Sequence, residues 1–268
     1  MLSNHKQWVS EVFDRAAPQY GGKSASFFTY FGKRLVEQVN VMPNQHILDV
    51  ATGRGAVLFP LANAVGPLGK VVGIDISQQM LIETQKEILK KNLSWVDLQC
   101  MDAERLNFLD DSFDFVFCGF AMFFLPSIFT ALSEFRRVLK PGGMLAISTW
   151  GEDSKLDTLI NEAIRQLCPA SSLAITPFWG EKEISTCLKE AGFKDMEIVK
   201  EIKTFSHCTP REWWDSLWSH GTRAKFEQLT TNQIADLRKK MLKEASESNE
   251  GQIDEDLHVF YAKAKKAL

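Results

Sequence analysis

One stretch of the chain carries acidic residues and glycines at the spacing that a nucleoside-binding site needs. They are Asp49, Gly53, Gly55 and Asp75. Glycine lets the backbone turn sharply and come close to a ligand. A carboxylate can accept hydrogen bonds from both hydroxyls of a ribose, and its charge strengthens such bonds to roughly 1.5–3 kcal/mol. The stretch therefore predicts a nucleoside site with Asp75 on the sugar.

A strand, a helix and a second strand must position these groups. Residues 47–51 and 71–74 are short apolar runs, and residues 56–64 between them have a helical pattern. The carboxyl ends of parallel strands face one crevice, so Asp75 should emerge beside the glycine turn. The turn opens onto a helix N-terminus, where free N–H groups favour an anionic group. We expect a βαβ unit that binds its ligand at this edge.

Two residues indicate which nucleoside ligand fits. A dinucleotide fingerprint requires a small residue three positions after Gly55, but this chain has Leu58, which would crowd a pyrophosphate. Asp49 would repel a pyrophosphate and attract an ammonium. S-adenosylmethionine carries a ribose, an adenine, a carboxylate and an ammonium, so it satisfies both conditions. A nicotinamide-dependent oxidoreductase and a non-catalytic S-adenosylmethionine-binding protein remain as alternatives.

The motif Asp49-Val-Ala-Thr-Gly-Arg-Gly resembles the glycine-rich motif of class I methyltransferases, in particular the ubiquinone/menaquinone-biosynthesis branch. Residues 12–20, Val-Phe-Asp-Arg-Ala-Ala-Pro-Gln-Tyr, and residues 137–143, Arg-Val-Leu-Lys-Pro-Gly-Gly, are similar to the same family. The resemblance covers residues 12–149 well. It implies an α/β, Rossmann-like fold with a seven-stranded, mostly parallel sheet, N-terminal helices and a helical cap inserted before the last strand. It also implies methylation of a small molecule.

The resemblance also implies a set of cofactor-binding residues. Ile76 and Met80 would flank the adenine ring, and Asp102 would read the adenine edge. The whole set is Tyr20, Asp49, Ala51, Thr52, Gly53, Gly55, Asp75, Ile76, Met80, Asp102, Ala103, Gly119 and Phe120.

The segment after Gly119 indicates the acceptor class. It reads Phe-Ala-Met-Phe-Phe-Leu-Pro and lacks the Asn/Asp-Pro-Pro-aromatic motif of enzymes that methylate amino groups of nucleic acids. The family's quinone enzymes have Arg-Asn where this chain has Phe-Ala, so a quinone acceptor is not implied. An apolar or aromatic acceptor is expected beside four aromatic residues. These are Phe178, Trp179, Trp214 and Trp218. His220 is the candidate general base, needed only if the acceptor keeps a high pKa.

The order of elements predicts four regions. Residues 1–40 form an N-terminal helical cover, and residues 41–205 form the cofactor-binding core. Residues 206–257 form a helical cap, and residues 258–268 form the last strand of the core. A connection of about fifty residues is too long for a plain hairpin loop, so we expect a functional pocket beneath the cap.

Composition excludes several other classes of protein. The net charge is −3 and the isoelectric point is about 6.0, which argues against a nucleic-acid partner. The five cysteines are odd in number and widely spaced, so neither a zinc site nor a disulfide framework is expected, and no other metal constellation is visible. The chain shows neither a signal-peptide pattern nor an apolar run of about 18 residues. A cytoplasmic enzyme with a small-molecule acceptor is expected, and its oligomeric state stays open.

Overall fold

The computed structural model describes residues 3–21, 26–167, 180–246 and 253–268. Within these ranges seven strands form one sheet. The strands are β1 (His46–Val50), β2 (Lys70–Asp75), β3 (Val96–Cys100), β4 (Phe113–Gly119), β5 (Leu139–Trp150), β6 (Phe193–His207) and β7 (Ile253–Lys266). Their order is β3-β2-β1-β4-β5-β7-β6, and only β7 runs antiparallel to its neighbours. The predicted α/β fold of the class I methyltransferase type is confirmed.

Helices pack on both faces of the sheet. In the described residues they are α1 (Asn4–Ala16), α2 (Phe27–Glu37), α3 (Leu58–Val65), α4 (Gln78–Lys90), α5 (Ile128–Val138), α6 (Lys155–Leu167), α7 (Glu181–Glu190), α8 (Pro210–Leu217), α9 (Arg223–Phe226) and α10 (Thr231–Ser246). Successive residues of β1 point to opposite faces, so Leu48 and Val50 join one core cluster with α5 and α7, while Ile47 joins the other with α2 and α3.

One predicted boundary is wrong. Strand β7 begins at Ile253, five residues before the predicted start, because its alternation of buried and exposed residues continues back to that position. The Lys140-Pro-Gly-Gly segment lies inside β5, which begins at Leu139 directly after α5. Gly142 there has φ +75°, which glycine adopts without strain.

The helices between β6 and β7 form a cluster of their own together with α6. Its fully buried members include Trp213, Phe226 and Met241, and Ile160 of α6 packs among them. This third cluster lies beside the carboxyl end of the sheet through α6, which follows β5, and through Ile253 at the start of β7. In the described part of the chain no helix is long and apolar enough to cross a membrane.

The turn around Gly53, between β1 and α3, is held from three sides. The side chain of Thr84 on α4 donates a hydrogen bond to the Gly53 carbonyl at 2.7 Å, and the Arg54 guanidinium donates to the Ala17 carbonyl after α1 at 2.6 Å. On the third side Gly32 of α2 lies against Ala56. The turn is thereby fixed to α4, to the end of α1 and to α2.

We expect Gly32→Ala to destabilise the protein. A Cβ at this position would overlap the carbonyl oxygen of Ala56 and lie 2.6 Å from its carbonyl carbon. Alanine gains about 1 kcal/mol of helix propensity over glycine, but overpacking against backbone costs up to about 3 kcal/mol. Urea unfolding should show a net loss of about 2 kcal/mol. Lys33→Ala, on the exposed side of α2, should change the free energy of unfolding by less than about 0.5 kcal/mol, and an unchanged Gly32→Ala midpoint would contradict the close contact.

Candidate cofactor and acceptor site

Unusual backbone conformations mark the carboxyl ends of β1 and β4. Ala51 directly after β1 has φ +53°, and Phe120 directly after β4 has φ +52°. Non-glycine residues in the left-handed region cost about 1–3 kcal/mol each and cluster at functional sites. Gly53 has the same conformation at φ +52° without that cost. The conformations of Ala51 and Phe120 therefore lower the stability of the folded chain, as is typical of residues that shape a functional site.

Asp75 lies at this edge, and backbone N–H groups hold both of its carboxylate oxygens. Oδ1 accepts from the Ser77 amide at 2.8 Å, and Oδ2 accepts from the Gly53 amide at 2.8 Å. The residue is 8% exposed, and its burial raises the pKa of the carboxyl to about 6, although the two amides oppose the shift. Each oxygen keeps a free lone pair. The side chain is thus oriented to accept further hydrogen bonds from a ligand.

Asp49 is the second buried carboxylate at this edge. Its Oδ2 accepts from the Thr52 hydroxyl at 2.6 Å, and the residue is 1% exposed. Burial raises the pKa of this carboxyl to about 7; the Thr52 hydrogen bond opposes the shift and the charge of Asp75 adds to it. A buried carboxylate without a cation nearby is costly. A positive group in the adjoining cavity would therefore favour the ionised form.

Two adjoining cavities surround these carboxylates. The Asp75 cavity is lined by Ile76, Met80, Asp102 and Ala103 as well as Asp75. The Asp49 cavity is lined by Thr52 and Gly55 as well as Asp49. Both cavities share Tyr20, Ala51, Gly53, Gly119 and Phe120. The structure thus brings all thirteen residues of the sequence-based cofactor set to the lining of two neighbouring cavities.

Leu58 does not lie where the sequence argument placed it. Its side chain is fully buried in the core, where its Cδ1 would come within 3.0 Å of a Cβ built on Gly73 of β2. The residue does not line the two cavities. In dinucleotide-binding folds a third glycine lets the helix pack closely on the strand. In this chain the glycine at the close contact is Gly73 on strand β2, and the larger residue is Leu58 on helix α3.

Helix α1 contributes a polar face that the sequence analysis missed. Lys6 lines the Asp75 cavity, and its Nζ lies 2.6 Å from Asp102 Oδ2. Ser10 donates to the Ile76 carbonyl at 3.1 Å, and Asp14 accepts from the Ser77 hydroxyl at 2.6 Å. Lys6, Ser10 and Asp14 follow one another at four-residue steps on one face of the helix. The four-residue spacing could have indicated this polar face from the sequence, but the polar face of a helix is usually exposed to solvent.

A third cavity, here called the His220 cavity, adjoins the first two. It shares Tyr20 and Phe120 with both of them. Aromatic rings form the part nearest this junction: Phe28 stacks on Tyr20 at 5.1 Å, and Trp150 packs on Phe120 at 4.2 Å between ring centroids. The opposite part is polar. Its lining includes Ser154, Asp157, Asn161, Lys225 and Glu255.

His220 lines this cavity beside the aromatic part. Its ring lies 5.8 Å from that of Phe27 and 6.2 Å from that of Phe28, and Nδ1 is 3.4 Å from the Thr222 hydroxyl. Burial lowers the pKa of the imidazole to about 4, although the charge of Glu255 opposes the shift. The imidazole is therefore neutral at pH 7, which leaves one ring nitrogen able to accept a proton.

The two tryptophans expected at the acceptor do not line the His220 cavity. Trp214 stacks on Phe226 with centroids 5.1 Å apart, and Trp218 lies 4.9 Å from the same ring. They are four residues apart, so they share one face of the α8 segment and pack into the helical cluster. Ser216 and Leu217 face the cavity instead. Phe178 and Trp179, the other two expected residues, lie outside the described residues.

In the described ranges no group of three or more His, Cys, Asp or Glu side chains could hold a metal ion.

The polar residues of the His220 cavity come from β7, α6 and α9, which are far apart in the chain. Sequence reasoning therefore missed Asp157, Lys225 and Glu255. The one local signal was Glu255, an acid at an inward-facing position of the β7 alternation.

Comparisons with known proteins agree with this arrangement. A family model described as the ubiE/COQ5 methyltransferase family matches residues 1–167. Aklanonic acid methyltransferase DauC from Streptomyces sp. (strain C5) is 37% identical over 147 residues, which is 55% of this chain and 67% of that protein. Nocamycin O-methyltransferase from Saccharothrix syringae is 29% identical over 240 residues, or 84% and 86% of the two chains.

A solved structure extends the likeness to the fold. Phosphoethanolamine N-methyltransferase 2 from Haemonchus contortus, in complex with S-adenosyl-L-methionine, superposes with a TM-score of 0.62 at 20% identity. The match covers 100% of this chain and 61% of that one.

We expect the contribution of Asp49 and Asp75 to the stability of the ligand-free protein to fall as the pH rises from about 4 to about 7. An unfolded Asp has a pKa near 3.9, whereas burial raises the pKa of Asp49 to about 7 and that of Asp75 to about 6. The native state therefore binds more protons than the unfolded state in this window, so the free energy of unfolding decreases until both groups are ionised. Urea unfolding at several pH values measures the slope.

Asp49→Asn should make this slope shallower, because the amide has no charge to bury. The exposed Asp97→Asn on β3 is the matched control and should keep the wild-type slope. Equal slopes in all three proteins would show that Asp49 keeps an ordinary pKa.

Proposed function

The chain belongs to the ubiE/COQ5 methyltransferase family and is an S-adenosylmethionine-dependent methyltransferase, and we propose that its acceptor is a small molecule with an aromatic or apolar body. Family membership sets aside the nicotinamide-dependent oxidoreductase and the non-catalytic binding protein that the sequence left open. The single observation behind the proposal is the junction at Tyr20 and Phe120, where the His220 cavity meets the two cavities around Asp75 and Asp49.

The residues around the first two cavities fit S-adenosylmethionine. Asp75 has free lone pairs on two oriented oxygens, which suit the ribose hydroxyls. Ile76 and Met80 offer apolar contact to the adenine ring, and Asp102 and Ala103 lie where they can meet its edge. The cofactor supplies an activated methyl group on a sulfonium. We propose these residues as the nucleoside-binding part of the site.

Asp49 fits the ammonium of the cofactor's amino-acid end. Burial raises the pKa of its carboxyl to about 7 in the ligand-free protein, and a cation beside it would lower that pKa. Thr52 and Gly55 line the same cavity. The adjoining Gly53 turn places Asp49 and Asp75 on either side of one bend, so one ligand can contact both. Tyr20 covers the junction towards the acceptor.

The aromatic part of the His220 cavity supports the acceptor class. Phe27, Phe28 and Trp150 provide flat apolar surface next to the junction, and such surface suits a ring or an apolar tail. The relatives' names report an acid and nocamycin as acceptors, both small molecules. Close packing there would align acceptor and donor and exclude water, which is the main requirement of this in-line displacement.

We also propose that the helices between β6 and β7 act as a cap over the acceptor. Leu217 at the end of α8, His220 after it and Lys225 of α9 all line the cavity. Arg15 of α1 pairs with Glu227 at 2.5 Å, so the segment is also joined to the N-terminal cover. The two regions therefore contact each other beside the same cavity.

Asp75→Asn should weaken the binding of S-adenosylhomocysteine by about 10- to 100-fold in calorimetry, because a charged hydrogen-bond acceptor for the ribose contributes roughly 1.5–3 kcal/mol. The Asp97→Asn control should bind normally, since Asp97 is exposed and lies outside the cavities. If Asp75→Asn changed the affinity for S-adenosylhomocysteine by less than about twofold, this carboxylate would not be part of the cofactor site. Thermal unfolding of each variant checks that the Gly53 turn survives.

Turnover tests the acceptor class and the role of His220. We expect the protein to release S-adenosylhomocysteine when supplied with S-adenosylmethionine and either 2-naphthol or 2-naphthoic acid. The phenol keeps its proton at pH 7, so His220→Asn should lower its kcat about 100-fold, the typical contribution of a general base. The carboxylic acid has already lost its proton, so its kcat should change little.

His46→Asn, at the exposed start of β1, is the control for a general histidine effect. An equal loss with both acceptors would show that His220 shapes the cavity rather than accepts a proton. No turnover of either acceptor would contradict the proposed class.

A further inference from the structure

We propose that Lys6 of α1 is a specificity-determining residue for the cofactor, and that its ammonium group donates a hydrogen bond to N7 of the adenine ring. This inference rests on the proposed placement of S-adenosylmethionine in the Asp75 cavity. It adds a group on the N-terminal helix to the groups at the sheet edge that would bind the adenine.

Lys6 lies on the face of α1 that closes the Asp75 cavity. Val9 and Phe13 line the same cavity, and the three residues follow one another at three- and four-residue steps. A lysine on a surface helix normally keeps its ammonium in water. The side chain of Lys6, however, is only 13% exposed. The position of its ammonium therefore has to be explained by the groups around it.

Two carboxylates hold the Lys6 ammonium in place. Its Nζ lies 2.6 Å from Asp102 Oδ2 and 2.6 Å from Glu104 Oε2. The other oxygen of each carboxylate accepts from a backbone amide: Asp102 Oδ1 from Glu104 at 2.9 Å, and Glu104 Oε1 from Ser127 at 2.7 Å. Neither carboxylate can turn away without losing a hydrogen bond, so the ammonium between them has a defined position.

The Lys6 ammonium keeps one N–H proton for a ligand. Burial acts to lower the pKa of this group, but the hydrogen bonds to Asp102 and Glu104 raise it above the usual value for lysine, so the group is charged at pH 7. An ammonium has three N–H protons, and the two carboxylates accept two of them. Among the residues that the structure describes, no acceptor is bonded to the third. Since Lys6 lines the cavity, a ligand there can supply that acceptor.

The adenine ring supplies the matching groups. Its amino group N6 is a donor and N7 beside it is an acceptor, so one acceptor and one donor that lie close together can bind both. Asp102 Oδ2 and Lys6 Nζ are such a pair, 2.6 Å apart, and both residues line the cavity. The Ala103 amide, which has no acceptor among the described residues, suits N1 on the other side of N6. N7 is therefore the ring nitrogen left for Lys6.

Two analogues of S-adenosylhomocysteine, each lacking one ring nitrogen, test the inference. In the 7-deaza analogue a C–H group replaces N7, and in the 1-deaza analogue a C–H group replaces N1. Calorimetry on the full chain measures the affinity for all three ligands. We expect the wild type to bind the 7-deaza analogue about tenfold more weakly than S-adenosylhomocysteine, as the loss of one hydrogen bond to a charged donor allows. The 1-deaza analogue should also bind more weakly.

Lys6→Met keeps the length of the side chain and removes the donor. We expect this variant to bind S-adenosylhomocysteine and the 7-deaza analogue within about twofold of each other. A general effect of the substitution weakens both ligands alike, so the ratio of the two affinities reports the contact with N7. The preference over the 1-deaza analogue should remain. Lys33→Met, at the exposed surface of α2, is the matched control and should keep both preferences.

Three results would overturn the inference: equal affinity of the wild type for S-adenosylhomocysteine and the 7-deaza analogue, an undiminished preference in Lys6→Met, or loss of both preferences in that variant, which would show a displaced ring. Absence of S-adenosylhomocysteine binding to the wild type would overturn it together with the proposed cofactor site. Failure of the proposed acceptor class is a separate result, because it would appear as absent turnover of 2-naphthol and 2-naphthoic acid, and these binding measurements use no acceptor.

Discussion

The site depends on the burial of two carboxylates on either side of one glycine turn. The Gly53 amide donates to Asp75, so the bend itself fixes the carboxylate that follows the next strand. Asp49 is held on the other side by Thr52. Both acids lose solvation when the chain folds, and the raised pKa of each carboxyl reports that cost. A ligand with a hydroxyl pair and a cation offsets it, so cofactor binding and local stability are linked.

The N-terminal helix α1 also contributes side chains to the cofactor cavities. Lys6, Ser10 and Asp14 contact residues that follow β3 and β2 and so cover the Asp75 cavity with polar groups. Arg15 at the end of the helix reaches Glu227 in the segment between β6 and β7. Any motion of α1 would therefore change the cofactor cavity and the cap together. The Lys6 and Asp102 side chains are only 13% and 20% exposed, so salt screens this ion pair less than it screens a surface pair.

The fold and the cofactor cavities could be predicted from sequence because their signals are local. Asp49, Gly53 and Asp75 lie within 27 positions, and strand-edge geometry converts that spacing into proximity. The acceptor end could not be predicted in the same way. Glu255 and Asp157 are about a hundred positions apart, and Lys225 lies on a third element. Trp214 and Trp218 pack into the helical cluster, and a stripe at helical spacing looks the same in the sequence whether it faces a cavity or a helical core.

Different elements of the chain build the two ends of the site. The cofactor end is built by β1, β2 and β4 and by the turn between β1 and α3, so a change there alters the sheet edge itself. The acceptor end is built by α6, α9 and the start of β7, whose cluster has its own buried residues. Glu255 lines the polar part of the His220 cavity, and in the described residues it shares no hydrogen bond with the Gly53 turn. The residues that line the two ends can therefore vary separately.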